Sequence, residues 1–464
     1  MARHSSGGDP AYRRRFRLSS RMTFLGLSLL FVAVLAAAGA PSPLYSVMQA
    51  SWGFPLWLLT LAFSAYAFAM LGALLTVGSL SDYLGRKPVL ISALSLQAAA
   101  MLLLGYAPDM GWVIAGRTLQ GIATGALTTT LTAFVTDKAP RGRPTVGATV
   151  ASFATQGGMA VGALAAGAVA QWVPVPVPTV FTVLAATFGA GIVLTLLTQE
   201  TSPRRPGALK SLIPRAAIPQ QFHTDFYSLI PVIAAVWMTG GYFLSLLPGV
   251  VLERCGAPSS FAGGIMIGLL SGVGAISGMV TERMPPVATA LSGSLLLLTG
   301  TAILLASLMV GSLGWCITAS IITGLGFGTA NSSAFRLARQ MAPPRDVARI
   351  FAAVYAICYL SCGAPIVAAG VLADSIGQSA TTNVYGLAVI LVASAGALLH
   401  SKKSRLRTAV AAAHNHPIAA AHQQKYAPRS AKAAPRAPLV ETSTTMTNVN
   451  HHKTAQLSSQ EKSP

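Results

Sequence analysis

The stretch Gly78-Ser-Leu-Ser-Asp82-Tyr-Leu-Gly85-Arg86-Lys87-Pro88 lies between two long apolar runs, residues 55–77 and 88–107. It brings an acid, two bases, two glycines and a proline into eleven residues, whereas both flanks are mainly apolar. Apolar runs of this length are typical of helices that cross a membrane. The stretch therefore predicts a short, highly specified hairpin between two membrane helices.

The special residues of this hairpin each have a predicted task. Gly78 removes a side chain where two helices approach each other, and Gly85 permits the backbone to turn at a positive φ. We expect Asp82 to end the first helix near a membrane face. An acid at that position needs a partner, which Arg86, Lys87 or the N–H groups of a nearby helix start would supply.

The composition of the chain indicates that its surroundings are lipid. Of 464 residues, 53% are hydrophobic and only 9% are charged, and the mean hydropathy is +0.60. A soluble chain carries charge at about a quarter of its positions. The four cysteines have no framework spacing, and Cys358 and Cys362, which share a helix face, lack the further ligands of a metal site. We expect these cysteines to pack as small apolar side chains, and we expect the protein to bind neither a metal nor a cofactor.

Apolar runs long enough to cross a bilayer recur twelve times. They lie at about 22–46, 55–80, 88–107, 112–135, 146–172 and 178–198, then at about 226–252, 261–281, 286–310, 314–337, 348–373 and 382–400. The pattern predicts an all-α integral membrane protein. We expect an N-terminal six-helix bundle at 22–198, a cytoplasmic linker at 199–225 and a C-terminal six-helix bundle at 226–400.

The distribution of basic residues predicts the orientation of these helices. With the N-terminus inside, the outer connections contain Arg254 and no other base. The inner connections contain all the others, namely Arg86, Lys87, Lys138, Arg141, Arg143, Arg204, Arg205, Lys210, Arg215, Arg283, Arg336, Arg339, Arg345 and Arg349. This asymmetry follows the positive-inside rule. We therefore expect a multi-pass protein of the inner (plasma) membrane with both termini in the cytoplasm.

A basic segment flanks the helices at each end of the chain. Residues 1–21 hold six arginines against one acid and imitate a secretory signal peptide, but the later spans need the orientation of the first, so we expect no cleavage. Residues 401–464 hold ten bases and two acids, which predicts a disordered cytoplasmic tail, solvated or attracted to anionic lipid. With Tyr426 as its only aromatic residue and no binding fold, the tail predicts no nucleic-acid partner.

The two halves of the chain resemble each other. Gly78-x-x-x-Asp82 recurs as Gly278-x-x-x-Glu282-Arg283, 200 residues later, and Gly121-x-x-x-Gly125 recurs as Gly324-x-x-x-Gly328 at an offset of 203. Gly167 has a partner in Gly370 at that same offset. Several matches in one register predict two related six-helix halves with the binding site between them.

The hairpin at 78–88 resembles the Gly-x-x-x-Asp-Arg/Lys-x-Gly-Arg-Arg/Lys signature that transporters of the major facilitator superfamily carry in their second cytoplasmic turn. Tyr83 departs from it, because the family prefers a base there. The alternative is a generic connector held inside by two positive charges. The resemblance covers about residues 22–400 and implies the twelve-helix fold of that family, built from two pseudo-symmetric bundles.

A second motif, Arg117-x-x-Gln120-Gly121 in the fourth span, resembles the fourth-helix motif of the same superfamily, where the arginine is tied to substrate binding or proton coupling. Arg117 lies about 8 Å from the outer end of its span. A buried charge there costs on the order of 2.5–3.5 kcal/mol. The alternative is a side chain that snorkels to the outer headgroups. Because the repeat places Ser320 at the equivalent position, we favour a functional role.

The fifth span resembles the Gly-Pro-x-x-Gly-Gly element of drug/proton antiporters. Ala163 replaces the proline, however, and Ala166 replaces the first of the paired glycines. The alternative is close helix packing through small residues. Helix packing is the task that we expect of Gly121, Gly125, Gly158, Gly162 and Gly167.

The resemblance implies a central cavity lined by the first, fourth, seventh and tenth spans. Prolines in the first and seventh spans are expected to break those helices near the outer mouth. No Asp, Glu or His lies in the middle of any span, so a driving proton would titrate an acid near a membrane face: Asp82, Asp137, Glu253 or Asp374. A lone buried arginine also suits an anionic substrate. The side chains offered to a solute are Tyr45, Arg117, Gln120, Trp237, Tyr242 and Asn331.

Together these features predict a secondary transporter that moves a small solute by alternating access, as a monomer in the bilayer. We expect export of amphiphilic or drug-like compounds. The alternatives are uptake of a small organic anion or sugar-like metabolite, and a non-transporting receptor or scaffold with a carrier fold. An enzyme would need a nucleophile with a base, or a metal cluster, at one depth, and the sequence contains neither. We expect a set of residues at the two equivalent turns to make contacts in one access state and to lose them in the other. They are Gly78, Asp82, Gly85, Arg86, Lys87, Gly278, Glu282 and Arg283.

Overall fold

The computed structural model describes residues 19–208 except 141, 143 and 144, followed by 223–256, 260–343 and 345–401. Most of the basic segment 1–21, Lys210 and Arg215 of the linker, and the tail after residue 401 lie outside these ranges. The described residues belong to one compact unit, Met1–Thr408. The boundaries set above for the two bundles therefore stay predictions.

The described chain is helical, and none of its residues is in a β-strand. The helices are α1 (Ser20–Gly39), α2 (Pro41–Trp52), α3 (Leu56–Thr76), α4 (Leu80–Leu84), α5 (Arg86–Gly105), α6 (Met110–Asp137), α7 (Thr145–Trp172), α8 (Pro176–Leu197), α9 (His223–Tyr227), α10 (Ile230–Ser245), α11 (Leu247–Cys255), α12 (Phe261–Val280), α13 (Pro286–Val310), α14 (Leu313–Met341), α15 (Val347–Ile376) and α16 (Gln378–Ser401). A 3-10 turn, Thr281–Arg283, follows α12.

Ten segments of the described chain are long and apolar enough to cross a membrane, and the bent pair α10–α11 makes an eleventh. The remaining predicted span is α6, which has 28 residues but is less apolar because it carries Arg117, Gln120 and seven threonines. Every one of the twelve apolar runs corresponds to one of these helices or helix pairs. The all-helical membrane fold predicted from the sequence is confirmed.

Glycines in the repeated register lie where helices approach most closely. A Cβ at Gly121 would lie 2.9 Å from the Cβ of Ala69, and one at Gly125 would lie 2.9 Å from the carbonyl oxygen of Met70, both on α3. In the second half, added Cβ atoms at Gly324 and Gly328 would meet the backbone of α12. Thus α6 packs on α3 as α14 packs on α12, and the internal repeat read from glycine spacing is present in the packing.

The two halves meet through α3 with α15 and through α7 with α12. Gly167 of α7 lies against α12, where an added Cβ would be 3.3 Å from the Cα atoms of Gly264 and Phe261. Its repeat partner Gly370 lies against Thr60 of α3, with no room for a side chain. Both members of this pair therefore serve equivalent contacts between the halves.

The first and seventh spans are interrupted at their predicted prolines. Helix α1 ends at Gly39 and α2 begins at Pro41, although the two continue as one span of 33 residues. The break in the seventh span is sharper, because α10 and α11 meet at Leu246 with a bend of 59° and Pro248 lies in the first turn of α11. Proline explains both breaks, since it has no N–H group to continue the helical hydrogen bonds.

Candidate functional site

A buried cation lies at the centre of the first half. The Arg117 side chain is only 1% exposed. Its Nη1 donates a hydrogen bond of 2.6 Å to Oε1 of Gln120, and its Cζ lies 4.1 Å from the centroid of the Tyr66 ring on α3. The snorkelling alternative is therefore wrong, because the guanidinium group points into the protein. We call Arg117, Gln120 and Tyr66 the Arg117 cluster.

Gln120 joins this cluster to the break in the first span. Its Nε2 donates a hydrogen bond of 2.8 Å to the carbonyl oxygen of Ala37. In a continuous helix that carbonyl would accept from the residue four positions later, but this residue is Pro41, which has no N–H. The Arg-x-x-Gln spacing thus satisfies both a buried guanidinium and a carbonyl left open by proline.

The Arg117 cluster contains no carboxylate. Among the described residues, the ion pairs are Arg86–Asp82, Arg86–Asp137 and Arg349–Asp346, so Arg117 belongs to none. It lies seven positions after Met110, about 10 Å along α6 at about 1.5 Å per residue. A cation–π contact is worth about 2 kcal/mol when desolvated, which offsets part of the burial cost.

Several buried polar atoms lack a hydrogen-bond partner in the described structure. They include Nε of Arg117, the hydroxyl of Tyr45 on α2 and Nε1 of Trp237 on α10. A buried unpaired donor costs about 1–3 kcal/mol. All three groups are at positions predicted from the sequence.

Two further predicted residues have different surroundings. Tyr242 donates a hydrogen bond of 3.0 Å to Oγ1 of Thr382, and its ring stacks on Tyr385 at 5.4 Å between centroids. Asn331 is half-buried on α14, and no hydrogen bond among the described residues joins it to the Arg117 cluster. Tyr242 is therefore part of the packing between α10 and α16.

Aromatic side chains connect the two halves beside this cluster. The ring of Tyr359 on α15 lies 4.9 Å from that of Trp237, edge to face. Its hydroxyl donates to Sδ of Met70, 3.2 Å away on α3, one turn after Tyr66. Tyr66 and Tyr359 were not predicted, because they lie on the second and eleventh spans rather than the four expected to line the cavity. The placement of both spans at the contact between the halves explains their position.

The hairpin between α3 and α5 contains a short helix that the sequence did not predict. Helix α3 ends at Thr76 and Asp82 lies in α4, so the expectation that Asp82 ends the first helix is wrong. Asp82 does bind Arg86, as expected. Arg86 also donates to Oγ of Ser81 at 2.7 Å and lies 3.5 Å from Oδ2 of Asp137 at the end of α6. The hairpin is thereby tied to the fourth span.

The carboxylate at the start of α5 is Glu200, not Asp82. Its two oxygens accept from the backbone N–H groups of Arg86 at 2.8 Å and Lys87 at 2.9 Å. Gly85 has φ +95°, and a Cβ there would lie 2.9 Å from Oε2 of Glu200, so glycine is needed for conformation and for space. The Lys87 side chain donates instead to the carbonyl of Thr198 at 2.7 Å, at the end of α8.

Glu200 is held in its ionised form. Burial raises the pKa of its carboxyl group, but the backbone N–H donors of Lys87, Ser202, Arg86 and Thr201 outweigh burial and lower the pKa below its ordinary value. Sequence reasoning missed this residue because it lies 114 positions from Arg86. The available signal was an acid two residues beyond the predicted end of the sixth span, on the face of the hairpin.

The counterpart turn in the second half is built differently. Arg336 of α14 donates to the backbone carbonyls of Glu282 at 2.6 Å and Met284 at 2.7 Å. The ion pairs of the described residues include neither Glu282 nor Arg283. A Cβ at Gly278 would lie 3.3 Å from the carbonyl oxygen of Gly328, so this glycine permits close approach of α12 and α14. The repeat thus preserves the glycine that permits close helix approach and not the acid–base pair of the turn.

On the opposite face, a carboxylate joins the halves. Asp374, near the end of α15, accepts hydrogen bonds of 3.1 Å from the N–H groups of both Leu56 and Trp57 in the first turn of α3. The hydroxyl groups of Ser46 and Ser260 lie 3.0 Å apart across the same face. A small crevice beside them is lined by both halves, including Tyr45, Gln49, Pro248 and Gln378. These contacts join the two halves at the face opposite the hairpin.

The glycines of the fifth span pack against α1. A Cβ at Gly158 would lie 2.8 Å from the carbonyl oxygen of Val32, and one at Gly162 would overlap the carbonyl of Ala36. Ala36 precedes Ala37, the residue that Gln120 binds. Close packing accounts for this element, and it surrounds the break in the first span with α6 and α7.

The fold and this site define a class: a multi-pass membrane protein of paired helical halves with a polar cluster between its spans. A family model described as Major Facilitator Superfamily matches residues 27–366. The chain belongs to the major facilitator superfamily. It is therefore a carrier of a small solute by secondary transport and not an enzyme.

Similar proteins agree with this assignment. The Aspergillus fumigatus major facilitator superfamily multidrug transporter mfsB is 38% identical over 78 residues, which cover 16% of this chain and only 13% of that protein. A bacterial homologue of the human lysosomal transporter Spinster, solved in an inward-facing and unoccupied conformation, is 15% identical with a TM-score of 0.68, over 85% of this chain and 98% of its own. A POT family transporter in complex with 5-aminolevulinic acid is 14% identical with a TM-score of 0.64, over 82% of this chain and 96% of its own. The structural likenesses concern the fold alone.

Proposed function

We propose that this carrier exports amphiphilic, drug-like compounds by alternating access of its two halves. One observation carries the proposal. The rings of Tyr66, Trp237 and Tyr359 lie where the halves meet, and three buried donors at predicted site positions have no hydrogen-bond partner among the described residues: Nε of Arg117, the Tyr45 hydroxyl and Nε1 of Trp237. Aromatic surface with a few unsatisfied polar groups suits a solute with an aromatic or aliphatic body and a small number of acceptors. The name of the multidrug relative supports the same substrate class.

The test is flux in sealed membranes. Inside-out vesicles that contain the chain should accumulate an amphiphilic fluorescent dye when a proton gradient is applied. The Trp237→Leu variant should reduce this accumulation at least fivefold. The matched control is Trp315→Leu, because Trp315 lies on α14 with 60% of its surface exposed and outside the site. Equal accumulation by both variants would contradict the assignment of the site, and dye binding without flux would indicate a receptor.

A second candidate is uptake of a small organic anion, which one observation favours. Arg117 is a buried cation with no carboxylate partner among the ion pairs of the described residues. A guanidinium group with an unused donor binds a carboxylate well. Right-side-out vesicles should then accumulate a small aliphatic carboxylate, and Arg117→Gln should abolish that accumulation. Dye export with no carboxylate uptake would exclude this alternative.

For the hairpin at 78–88 we propose the role of a latch on the cytoplasmic face. Its bonds to α6, α8 and the linker, through Asp137, Thr198 and Glu200, occur while Asp374 closes the opposite face. Asp82 and Arg86 would keep these contacts in this access state and lose them in the other. Asp82→Asn should then reduce flux while membrane expression stays intact, and unchanged flux would refute the latch.

The remaining proposals concern location and coupling. We propose a monomer in the plasma membrane with cytoplasmic termini, coupled to a proton that titrates Asp82, Asp137, Glu253 or Asp374. Epitope tags in successive connections should alternate between the two sides of the membrane. Each of the four acids is replaced in turn by its amide, Asp by Asn or Glu by Gln. Proton coupling would be excluded if the flux did not change with the proton gradient in the wild type and in each of these variants.

A further inference from the structure

Two cysteines that are distant in sequence lie side by side on the face opposite the hairpin. Cys255 is the last residue of α11 and Cys316 lies in the first turn of α14. Their Sγ atoms are 3.7 Å apart, although 61 residues separate them along the chain. Cys316 is fully buried, whereas Cys255 is partly accessible. The pair therefore has one sulfur open to a reagent and one sulfur behind it.

Local packing holds the two cysteines in this position. The turn between α13 and α14 contains Gly311 at φ +73°, where an added Cβ would lie 3.0 Å from the carbonyl oxygen of Arg254. The turn is thus in contact with the end of α11. On its other side, Arg254 Nε donates to Oγ of Ser379 at 2.6 Å, at the start of α16. Because the chain next to Cys255 is held on both sides, the short distance between the sulfurs is a property of the fold.

We propose that Cys255 and Cys316 form a reversible disulfide, a modification site at which oxidation fixes α11 against α14. A disulfide bond needs the sulfurs at about 2.05 Å, so each sulfur must approach by less than 1 Å from its position here. Helix α11 is bent by 59° from α10 and contributes Pro248 and Gly249 to the crevice between the halves. A covalent link at the end of α11 would restrain a segment that must move if this face is to open.

The chemistry requires an oxidant of the disulfide class and leaves no atoms unaccounted for. The Cys255 thiolate attacks one sulfur of the oxidant's disulfide, which forms a mixed disulfide and leaves the other sulfur of the oxidant as a thiolate. The Cys316 thiolate then attacks Sγ of Cys255, which forms the protein disulfide and releases the attached sulfur of the oxidant as a second thiolate. The two protons from the cysteines end on the released thiols, and the two electrons reduce the oxidant. The compartment predicted for this face is one in which such oxidants persist.

The chain contains its own control pair. Cys358 and Cys362 lie on one turn of α15 and are both buried, so neither sulfur is accessible to an oxidant. Counting free thiols distinguishes the two pairs. Membranes are treated with oxidised dithiothreitol, and the protein is then denatured. Its free thiols are labelled with a polyethylene-glycol maleimide, and each attached label shifts the gel mobility of the protein by one step.

The expected count falls from four labels to two on oxidation and returns to four after reduction. The Cys255→Ser and Cys316→Ser variants should show three labels under both conditions. Four labels on the oxidised wild type would overturn the proposal, as would a loss of two labels in Cys255→Ser, which would assign the bond to Cys358 and Cys362.

The effect on α11 is measured separately by flux in the same vesicles, with any solute that the wild type transports. Oxidation should reduce flux at least fivefold in the wild type and leave Cys255→Ser unchanged, and reduction should restore it. A disulfide that forms without any change in flux would refute the restraint of α11. This result would leave the transport function itself intact, because the reduced protein supplies the reference.

Discussion

Replacing Asp374 should release the closed face of the carrier. Its carboxylate accepts two hydrogen bonds of 3.1 Å from the first turn of α3, where the preceding residue, Pro55, has no side-chain acceptor to cap the helix. Loss of a helix N-cap costs about 1 kcal/mol, and the charge at the helix N-terminus adds about 0.3–1 kcal/mol. The contact joins α15 to α3, so Asp374→Ala should shift the equilibrium toward opening of this face by about 1–2 kcal/mol, a factor of about 5–30.

The shift is measured by the labelling rate of a reporter cysteine. Ser42 lines the crevice between the halves and is only 3% exposed, so Ser42→Cys reacts with a membrane-impermeant maleimide only when this face opens. The background carries Cys255→Ser, because Cys255 is partly accessible. While the open state is a minority, the labelling rate is proportional to its population. Asp374→Ala should therefore raise the rate about 5–30-fold.

The control for this measurement is Ser375→Ala. Ser375 is exposed beside Asp374, and its hydroxyl donates only to Leu372 of its own helix. Its labelling rate should equal that of the parent. If Asp374→Ala labels at the rate of Ser375→Ala, the contact does not hold the face closed, and the reasoning from its geometry fails.

Three further outcomes are expected. Because the folded-state pKa of Glu200 is lowered, its contribution to stability is complete above the ordinary carboxyl pKa and is lost as pH falls through the folded-state pKa. Glu200→Gln should therefore lower the free energy of unfolding by about 1 kcal/mol at neutral pH. Thermal unfolding curves in detergent should show the difference between the variant and the wild type closing in acid. Gly162→Ala should destabilise by about 1–3 kcal/mol through overlap with α1, whereas Gly72→Ala, which meets nothing within 4 Å, should be neutral or stabilising on the same curves. Gln120→Leu should cost about 1–3 kcal/mol, since it leaves Arg117 and the Ala37 carbonyl without their partner; an unchanged midpoint would contradict that account.

The sequence was sufficient for the fold because the fold follows from local properties. Apolar length defines the spans, and glycine spacing at offsets near 200 defines the repeat. Helix α6 shows the limit of hydropathy alone, since its polar residues, among them Arg117 and Gln120, make it too polar to qualify as a span by composition. Its identity as a span depended on the position of its neighbours.

The candidate site was predicted only in part, because its completion depends on contacts between distant segments. Arg117 and Gln120 were found as a motif on one helix. Their partners Tyr66 and Ala37 belong to other helices and were not predictable from spacing. Glu200 was missed for the same reason, since capping of α5 requires that the end of α8 lie beside the hairpin. Residues that act through one helix are visible in a single sequence, whereas residues that act through tertiary contacts are not.

Alternating access makes one prediction that local effects cannot imitate. Asp82 follows the C-terminal end of α3, whereas Ser42 lines the crevice beside Leu56 at the N-terminal end, and the 21 residues of α3 extend about 32 Å at about 1.5 Å per residue. If the Asp82–Arg86 pair belongs to the state in which the opposite face is closed, Asp82→Asn should raise the labelling rate of Ser42→Cys at the far end. The pair is partly exposed, with side chains 56% and 12% accessible, so about 0.5–1 kcal/mol and a two- to fivefold increase are expected. In the double variant that combines Asp82→Asn with Asp374→Ala, the two increases in labelling rate should multiply, because both substitutions act on one equilibrium. An unchanged rate in Asp82→Asn would mean that the two faces open independently, and the hairpin would then be a connector and not a latch.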